Sequence, residues 1–437
     1  METMEETEGL QSMAWELTKE LVKIDSSDPG AYEGEIGRFV YEWLKRESGR
    51  AGVEVVEVAE ADGAQEVEAK AAGALAAGIQ PSGPNARPGR VVLSRREALP
   101  GRFNVMARLE GKTPGPALAF ICHMDTVMLG EDWDADLPPL GAVERDGQLY
   151  GRGACDMKSG LACALTAFSR ILQRVGRDRA LPERPLVFIG TVDEEDFMRG
   201  VEAAIRWGWV TKDDWYLDTE PTDGQIQVAH KGRLWFELTM DGVTAHASNP
   251  WKGADAIAAM AEAVSLIRRR ISACPAHHDL GISTVTFGQI EGGYRPYVVP
   301  DHCRVWIDMR LVPPTDTTAA KAIMDEAVRA AEEAVPGVKG SYVVTGDRPY
   351  VEKDEDSPLL AALRAACAAA DGKEAEVGSF NGYTDTAVIA GTMGNHNCMS
   401  YGPGSLELAH KPNEYVPVED VRRCERVLWR LAEDVVF

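Results

Sequence analysis

Several features are scarce in this sequence, and each absence excludes a class of protein. Positive charge is in deficit: 46 Lys and Arg stand against 69 Asp and Glu, for a formal net charge of −23. That balance argues against a surface for nucleic acid or anionic membrane, both of which are held through clustered Lys and Arg. It says little about a substrate, because one local arginine outweighs a distant field once salt screens it. No apolar run approaches the roughly eighteen residues that a membrane-spanning helix needs. The eight cysteines, at 122, 155, 163, 274, 303, 367, 398 and 424, form no C-x-x-C pair, and several sit in apolar stretches as reduced core thiols. The opening "METMEETEGL" has neither a basic n-region nor an apolar h-region, so no signal peptide and a cytoplasmic setting are expected. A Ser-His-Asp order and a cysteine-nucleophile signature are missing as well.

With 437 residues the chain exceeds one ordinary core, so two or three domains are expected. Its 45% hydrophobic and 26% charged content is that of a soluble globular protein. Apolar positions at helical spacing mark 11–24 and 36–48, with "SSDPG" (26–30) as the turn between them. From 60 to 100 the chain is rich in Ala, Gly and Pro and reads as a surface insertion, with disorder as its expected state. "FNVMARLEG" (103–111) and "ALAFIC" (117–122) read as a strand pair joined by "KTPGP". Short apolar runs then alternate with helical patterns: "ALAFIC", "PLVFIGT", "WYLD" (215–218) and "NCMSYG" (397–402). Such runs belong to strands covered on both faces, in a sheet that is largely parallel. The stretch 228–341 differs, with strands at 232–240, 281–290 and 302–310 and helices at 254–270 and 317–334. Its strand–helix–strand–strand–helix–strand order predicts a ferredoxin-like α+β unit. The expected fold is therefore α/β: a catalytic domain from 1–227 and 342–437 with a mixed, largely parallel sheet, and a smaller domain (228–341) inserted in it.

"GTVDEEDF" (190–197) sets Asp193, Glu194, Glu195 and Asp196 directly behind the apolar run "PLVFI". Like charges crowded at the end of a buried element repel, and loss of water raises the cost. The ordinary reading of such a cluster is a solvated acidic turn that opens a helix. The rest of the chain favours a different one. In open α/β sheets, functional residues gather past the carboxyl ends of the strands. Here "ALAFIC" runs into His123 and Asp125, "WYLD" into Thr219 and Glu220, and "NCMSYGPGSLELAH" into His410. "QLYGRGACDMKSG" adds Asp156 at a Gly-rich helix entrance. Imidazole nitrogen and carboxylate oxygen suit Zn²⁺, and an open coordination position makes such a site catalytic.

The motifs "CHMDTV", "GRGACDMKSG", "TVDEED", "DTEPT", "GVTAHAS" and "YGPGSLELAHKPNEYV", in this order, resemble those of the acetylornithine deacetylase, succinyl-diaminopimelate desuccinylase and glutamate carboxypeptidase metallohydrolase family. The resemblance runs from about residue 12 to 435. It implies a zinc-peptidase-like catalytic domain holding two divalent ions, expected to be zinc, with cobalt or manganese as alternatives. His123 and Glu220 would hold one ion, Glu195 and His410 the other, and Asp156 would bridge them, its bond to Met157 expected to be cis. Asp125 would fix the His123 tautomer. Glu194 would be the general base, taking a proton from a metal-bridging water and passing it to the leaving amine. The inserted domain would be the family's lid and would carry a homodimer. His246 in "TAHAS" matches a histidine that stabilises the oxyanion, and Arg310 in "WIDMR" the arginine that binds the substrate carboxylate.

Some positions depart from the pattern. Tyr297 stands before "VVPD" where an Asn is common, which bears on substrate binding, and Ser159 replaces a common Gly. Asp385 in "NGYTDTAV" reads as a helix cap or as a pocket residue that binds substrate. His277 and His278 read as an exposed turn, Cys122 and Cys155 as packing residues, and His230–Lys231 as a hinge; without the family, Arg310 reads as an edge-strand residue. The expected substrate is a small N-acyl amino acid, cleaved at its amide bond. A dipeptidase or carboxypeptidase with the same centre is the alternative, and a non-catalytic metal-stabilised binding protein the remote one.

Overall fold

A computed structural model describes residues 12–58, 89–113, 115–380 and 382–437. Most of the Ala/Gly/Pro-rich stretch lies outside the described residues. Its last part is not an irregular insertion, because Arg90–Leu99 forms a strand. The chain divides into two compact units. The larger takes residues up to 228, 354–378 and 384–437, and the smaller takes 229–353 and 379–383.

The larger unit is built on a nine-stranded mixed sheet. Its order is Val377–Phe380, Ile226–His230, Cys398–Ser400, Trp215–Asp218, Leu118–His123, Leu186–Thr191, Arg102–Leu109, Arg90–Leu99 and Glu54–Val58. The four strands from Cys398–Ser400 to Leu186–Thr191 run parallel, and antiparallel neighbours flank them. Every residue of Leu118–His123 and Leu186–Thr191 is buried, as their unbroken apolar runs require. This corrects the expected strand pair. Leu118–His123 does not pair with Arg102–Leu109; it lies beyond Leu186–Thr191, which separates the two. An all-apolar strand needs cover on both faces and takes the centre, whereas Arg102–Leu109 alternates in burial. The linker after it cannot act as a hairpin turn, because Lys112 and Thr113 donate their N–H groups to Pro182 and Glu183. Helices Met13–Val22, Lys158–Asp178 and Val418–Val436 pack on one another, with 15 buried residues in the middle one.

The smaller unit is a four-stranded antiparallel sheet in the order Thr284–Gly292, His302–Leu311, Gly232–Asp241, Lys339–Arg348. Its helices Ala256–Ser272 and Thr317–Ala334 start on Asp255 and Asp316, whose side chains accept the N–H groups of Ala258 and Ala319. This is the ferredoxin-like arrangement. The unit runs past residue 341 because Lys339–Arg348 pairs along its length with Gly232–Asp241. Arg310 sits on an interior strand, not an edge one, since His302–Leu311 pairs on both sides.

Candidate metal centre

The parallel strands end in register, and this assembles the site. His123, the last residue of its strand, stands opposite Thr191, and Asp218 stands opposite both Ile121 and Ser400. The chain leaving each strand therefore delivers its polar residues to one carboxyl edge. Asp156 arrives ahead of the helix Lys158–Asp178, through a cis bond to Met157.

These residues converge. His123 Nε2 lies 3.1 Å from Asp156 Oδ1 and 3.8 Å from Glu220 Oε1. His410 Nε2 lies 2.9 Å from Glu195 Oε2 and 3.5 Å from Asp156 Oδ2. Asp156 thus faces both imidazoles, one with each oxygen. The donor atoms of His123, Asp156 and Glu195 fall within 4.8 Å of one another, as do those of His123, Glu194 and Glu220. The His123 Nδ1 group lies 3.0 Å from the Asp125 carbonyl and donates to it, which leaves the Nε2 lone pair for a cation. The Asp125 carboxylate is farther from that nitrogen, at 3.7 Å. Its Oδ2 instead accepts the Glu195 N–H at 3.0 Å, so Asp125 joins the His123 strand to the acidic turn.

The electrostatics call for a cation. Burial raises the Glu194 carboxyl well above the ordinary range, and Asp385, Glu195 and Asp125 add to the rise while His123 opposes it. Glu195 and Glu220 are raised too, by burial first and then by the charge of Asp156. Burial would raise Asp156 as well, yet hydrogen bonds from His123 and His410 bring it below its usual value. His410, half exposed, is raised to about 10 by Asp156 and Glu195. Burial depresses His123, but Asp156, Glu220, Glu194 and Asp125 outweigh it and raise the imidazole well above its usual value. Among the described residues no Lys or Arg pairs with Asp156, Glu194, Glu195 or Glu220, and the buried Glu195 Oε1 has no partner. Carboxylates and imidazoles in this arrangement fit divalent ions.

The remaining members of the acidic turn have ordinary roles. Asp193 is fully buried and bound by arginines, while Asp196 is half exposed and lies near Arg199. Asp385 is not the helix cap, because Thr384 accepts the Ala387 N–H in that role. The Asp385 carboxyl, buried and pushed up to about 7, accepts from Thr191 Oγ1 at 2.5 Å, and its Oδ1 has no partner. Sequence reasoning passed over Glu414, which accepts from Arg152 Nη1 (2.7 Å), Cys155 N–H (2.9 Å) and Asp156 N–H (3.1 Å). Its place four residues after His410 in the same motif was the available signal.

The smaller unit carries His246, Tyr297 and Arg310. His246 is exposed, with Nδ1 2.8 Å from Ser248 Oγ, and Tyr297 is 60% exposed. Arg310 forks onto Asp308, two residues earlier on its strand. His277, His278 and Asp279 also lie within reach of one ion. His277 Nδ1 already accepts the N–H groups of Asp279 and Leu280, and His278 is exposed, as the turn reading expects.

A sequence profile described as Peptidase family M20/M25/M40 matches residues 119–434. An acetylornithine deacetylase of Myxococcus xanthus is 29% identical over 337 residues, covering 75% of this chain and 83% of its own. A probable succinyl-diaminopimelate desuccinylase of Staphylococcus aureus is 25% identical over 342 residues, covering 72% and 82%. In fold the chain is similar to the aminopeptidase PepT of Bacillus cereus, with a TM-score of 0.68 at 24% identity over 97% of this chain and 98% of that one. It is similar also to a metallo-carboxypeptidase of Sulfolobus solfataricus, with a TM-score of 0.70 at 15% identity over 97% and 99%.

Proposed function

From its membership of peptidase family M20/M25/M40, to which this chain belongs as a metal-dependent hydrolase, we propose that it cleaves the amide bond of small N-acyl amino acids. One observation carries the reading: five ligand-type side chains and Glu194 converge, and among the described residues no Lys or Arg pairs with their carboxylates. His123 and Glu220 would hold one divalent ion, Glu195 and His410 a second, with Asp156 between them. Zinc suits this donor set best, and cobalt or manganese would also fit. When bound, the ions would polarise the scissile carbonyl and acidify the attacking water.

The protein's own groups do the rest. Glu194 takes the proton of the attacking water and delivers it to the leaving nitrogen, and its carboxylate lies among the ligand-type groups, within 4.8 Å of His123 and Glu220. Asp125 keeps the His123 tautomer through its carbonyl. His246 donates to the developing oxyanion, and Arg310 exchanges Asp308 for the substrate carboxylate, whose two oxygens match its planar fork. Asp385 on the larger unit and Tyr297 on the smaller one are the remaining substrate-binding candidates. The net charge and the lack, among the described residues, of a helix long and apolar enough to cross a membrane suit a cytoplasmic enzyme. A homodimer forms through the edge strand Thr284–Gly292, whose outer edge pairs with no strand among the described residues and whose 60%-exposed Ile290 favours a second copy.

The deacetylase and desuccinylase relatives support N-acetyl and N-succinyl substrates, and the aminopeptidase and carboxypeptidase neighbours keep a peptidase as the second reading. A panel of N-acetyl, N-succinyl, N-formyl and N-carbamoyl amino acids beside dipeptides, assayed with Zn²⁺, Co²⁺ or Mn²⁺, separates them. Turnover of acyl amino acids is expected; turnover of dipeptides alone would replace the first reading with the second.

A further inference from the structure

Behind the acidic turn lies a second charged cluster, of which only Asp125 has a role in the proposed chemistry. Arg102 opens the strand Arg102–Leu109 and is almost wholly buried. Its guanidinium forks onto Glu33, with Nε 2.7 Å from Oε2 and Nη2 against Oε1. Nη2 also lies 2.7 Å from Asp28 Oδ2, and Nη1 lies 3.2 Å from Asp193 Oδ1. The Tyr32 ring covers the group at 4.6 Å. Oxygens of Asp28, Glu33 and Asp125 fall within 4.8 Å of one another, a gathering of acids that needs a resident cation. Arg102 is that cation for two of them.

The same cluster grips the turn that carries Glu194. Glu33 Oε1 accepts the Asp193 N–H at 3.0 Å. Asp193 has a left-handed backbone, with φ of 68°, and its carboxylate takes Arg199 Nε at 2.6 Å and the Arg199 N–H at 3.1 Å. Two residues along the strand from Arg102, Asn104 accepts the Val192 N–H at 3.2 Å and donates to the Gly200 carbonyl at 2.8 Å. On the far side, Asp125 holds the Glu195 N–H. The backbone is therefore fixed by other elements immediately before and immediately after Glu194.

We infer that Arg102, acting with Glu33, is a positioning residue of the reaction: through Asp193 it sets the backbone from which Glu194 and Glu195 project. One guanidinium binds three carboxylates from two distant segments, the turn carrying Asp28 and Glu33 and the turn carrying Asp193, which a planar fork of several donors can do and a point-like ammonium cannot. The inference rests on the roles of Glu194 and Glu195 proposed above.

Arg102→Lys and Glu33→Gln test it, with kcat, KM, thermal midpoint and Zn²⁺ affinity by chelator competition as readouts, and Glu194→Ala as the reference. At saturating Zn²⁺ both variants are expected to lose about 10–100-fold in kcat. Their KM should stay within about threefold, because ground-state binding is untouched. Zn²⁺ affinity should fall about tenfold, since Glu195 is displaced with its neighbour. A lowered thermal midpoint with kcat and Zn²⁺ affinity like the parent's would reduce the cluster to a structural clamp and overturn the inference. If Arg102→Lys does not fold, Glu33→Gln carries the same test, because it keeps the volume and one acceptor oxygen. Parental turnover in Glu194→Ala would instead remove the base assignment, a separate failure.

Discussion

Glu194 is the proposed general base, and its surroundings suit no role as a solvated surface acid. Its side chain is buried among Glu195, Asp125 and Asp385, with His123 as the opposing charge. Glu194→Ala should retain bound metal and lower turnover about 10²–10⁴-fold, the usual weight of a general base. Retained turnover with full metal content would assign the proton transfer to another group. Glu414→Ala removes the carboxylate that holds the Cys155 and Asp156 N–H groups and pairs with Arg152. Metal affinity or turnover should then drop about 10–100-fold, and unchanged metal affinity would mean that Asp156 is held by other means. That His123, Asp156, Glu194, Glu195, Glu220 and His410 come together was legible because each stands in a short motif just past an apolar run or at a Gly-rich helix entrance. Glu33 and Arg102 were not, because 69 positions separate the partners and neither stands in such a motif.

At the scale of elements, the site depends on how well the central parallel strands are seated. Phe120 lies fully buried on Leu118–His123, three residues before His123. Phe120→Ala should cost about 3–5 kcal/mol by denaturant unfolding and weaken metal binding with it. A loss below about 1 kcal/mol would mean that the strand is not packed as described. Apolar runs announced the central strands and helical spacing announced the helices, since both patterns are local. The order of strands was less legible. Leu118–His123 follows Arg102–Leu109 in sequence, yet Leu186–Thr191, far along the chain, lies between them. Local pattern specifies that a strand exists and which faces it buries; its neighbour is decided by the competition of all strands for the covered centre.

For the whole molecule, folding and metal binding are coupled through pH. Burial raises Glu194, Glu195 and Glu220 above the unfolded carboxylate value of 4.5, so the metal-free folded chain binds protons that the unfolded chain has released. Its stability therefore falls as pH rises above that value. His410, raised from 6.5 to about 10, contributes stability that is complete below 6.5 and lost as pH climbs toward 10. Asp156 is held below its ordinary value and acts in the opposite sense, but only in acid. Divalent ions replace these protons, so the rise in thermal midpoint on adding Zn²⁺ should be larger near about pH 8.5 than near about pH 6. A rise independent of pH would contradict this linkage. The measurement that bears most directly on the central claim is a metal titration of the chelator-stripped protein, followed by turnover of N-acetyl and N-succinyl amino acids. The account predicts no turnover in the stripped protein and its recovery on adding Zn²⁺, with saturation at two ions per chain. Turnover in the stripped protein, or saturation at one ion, would contradict it.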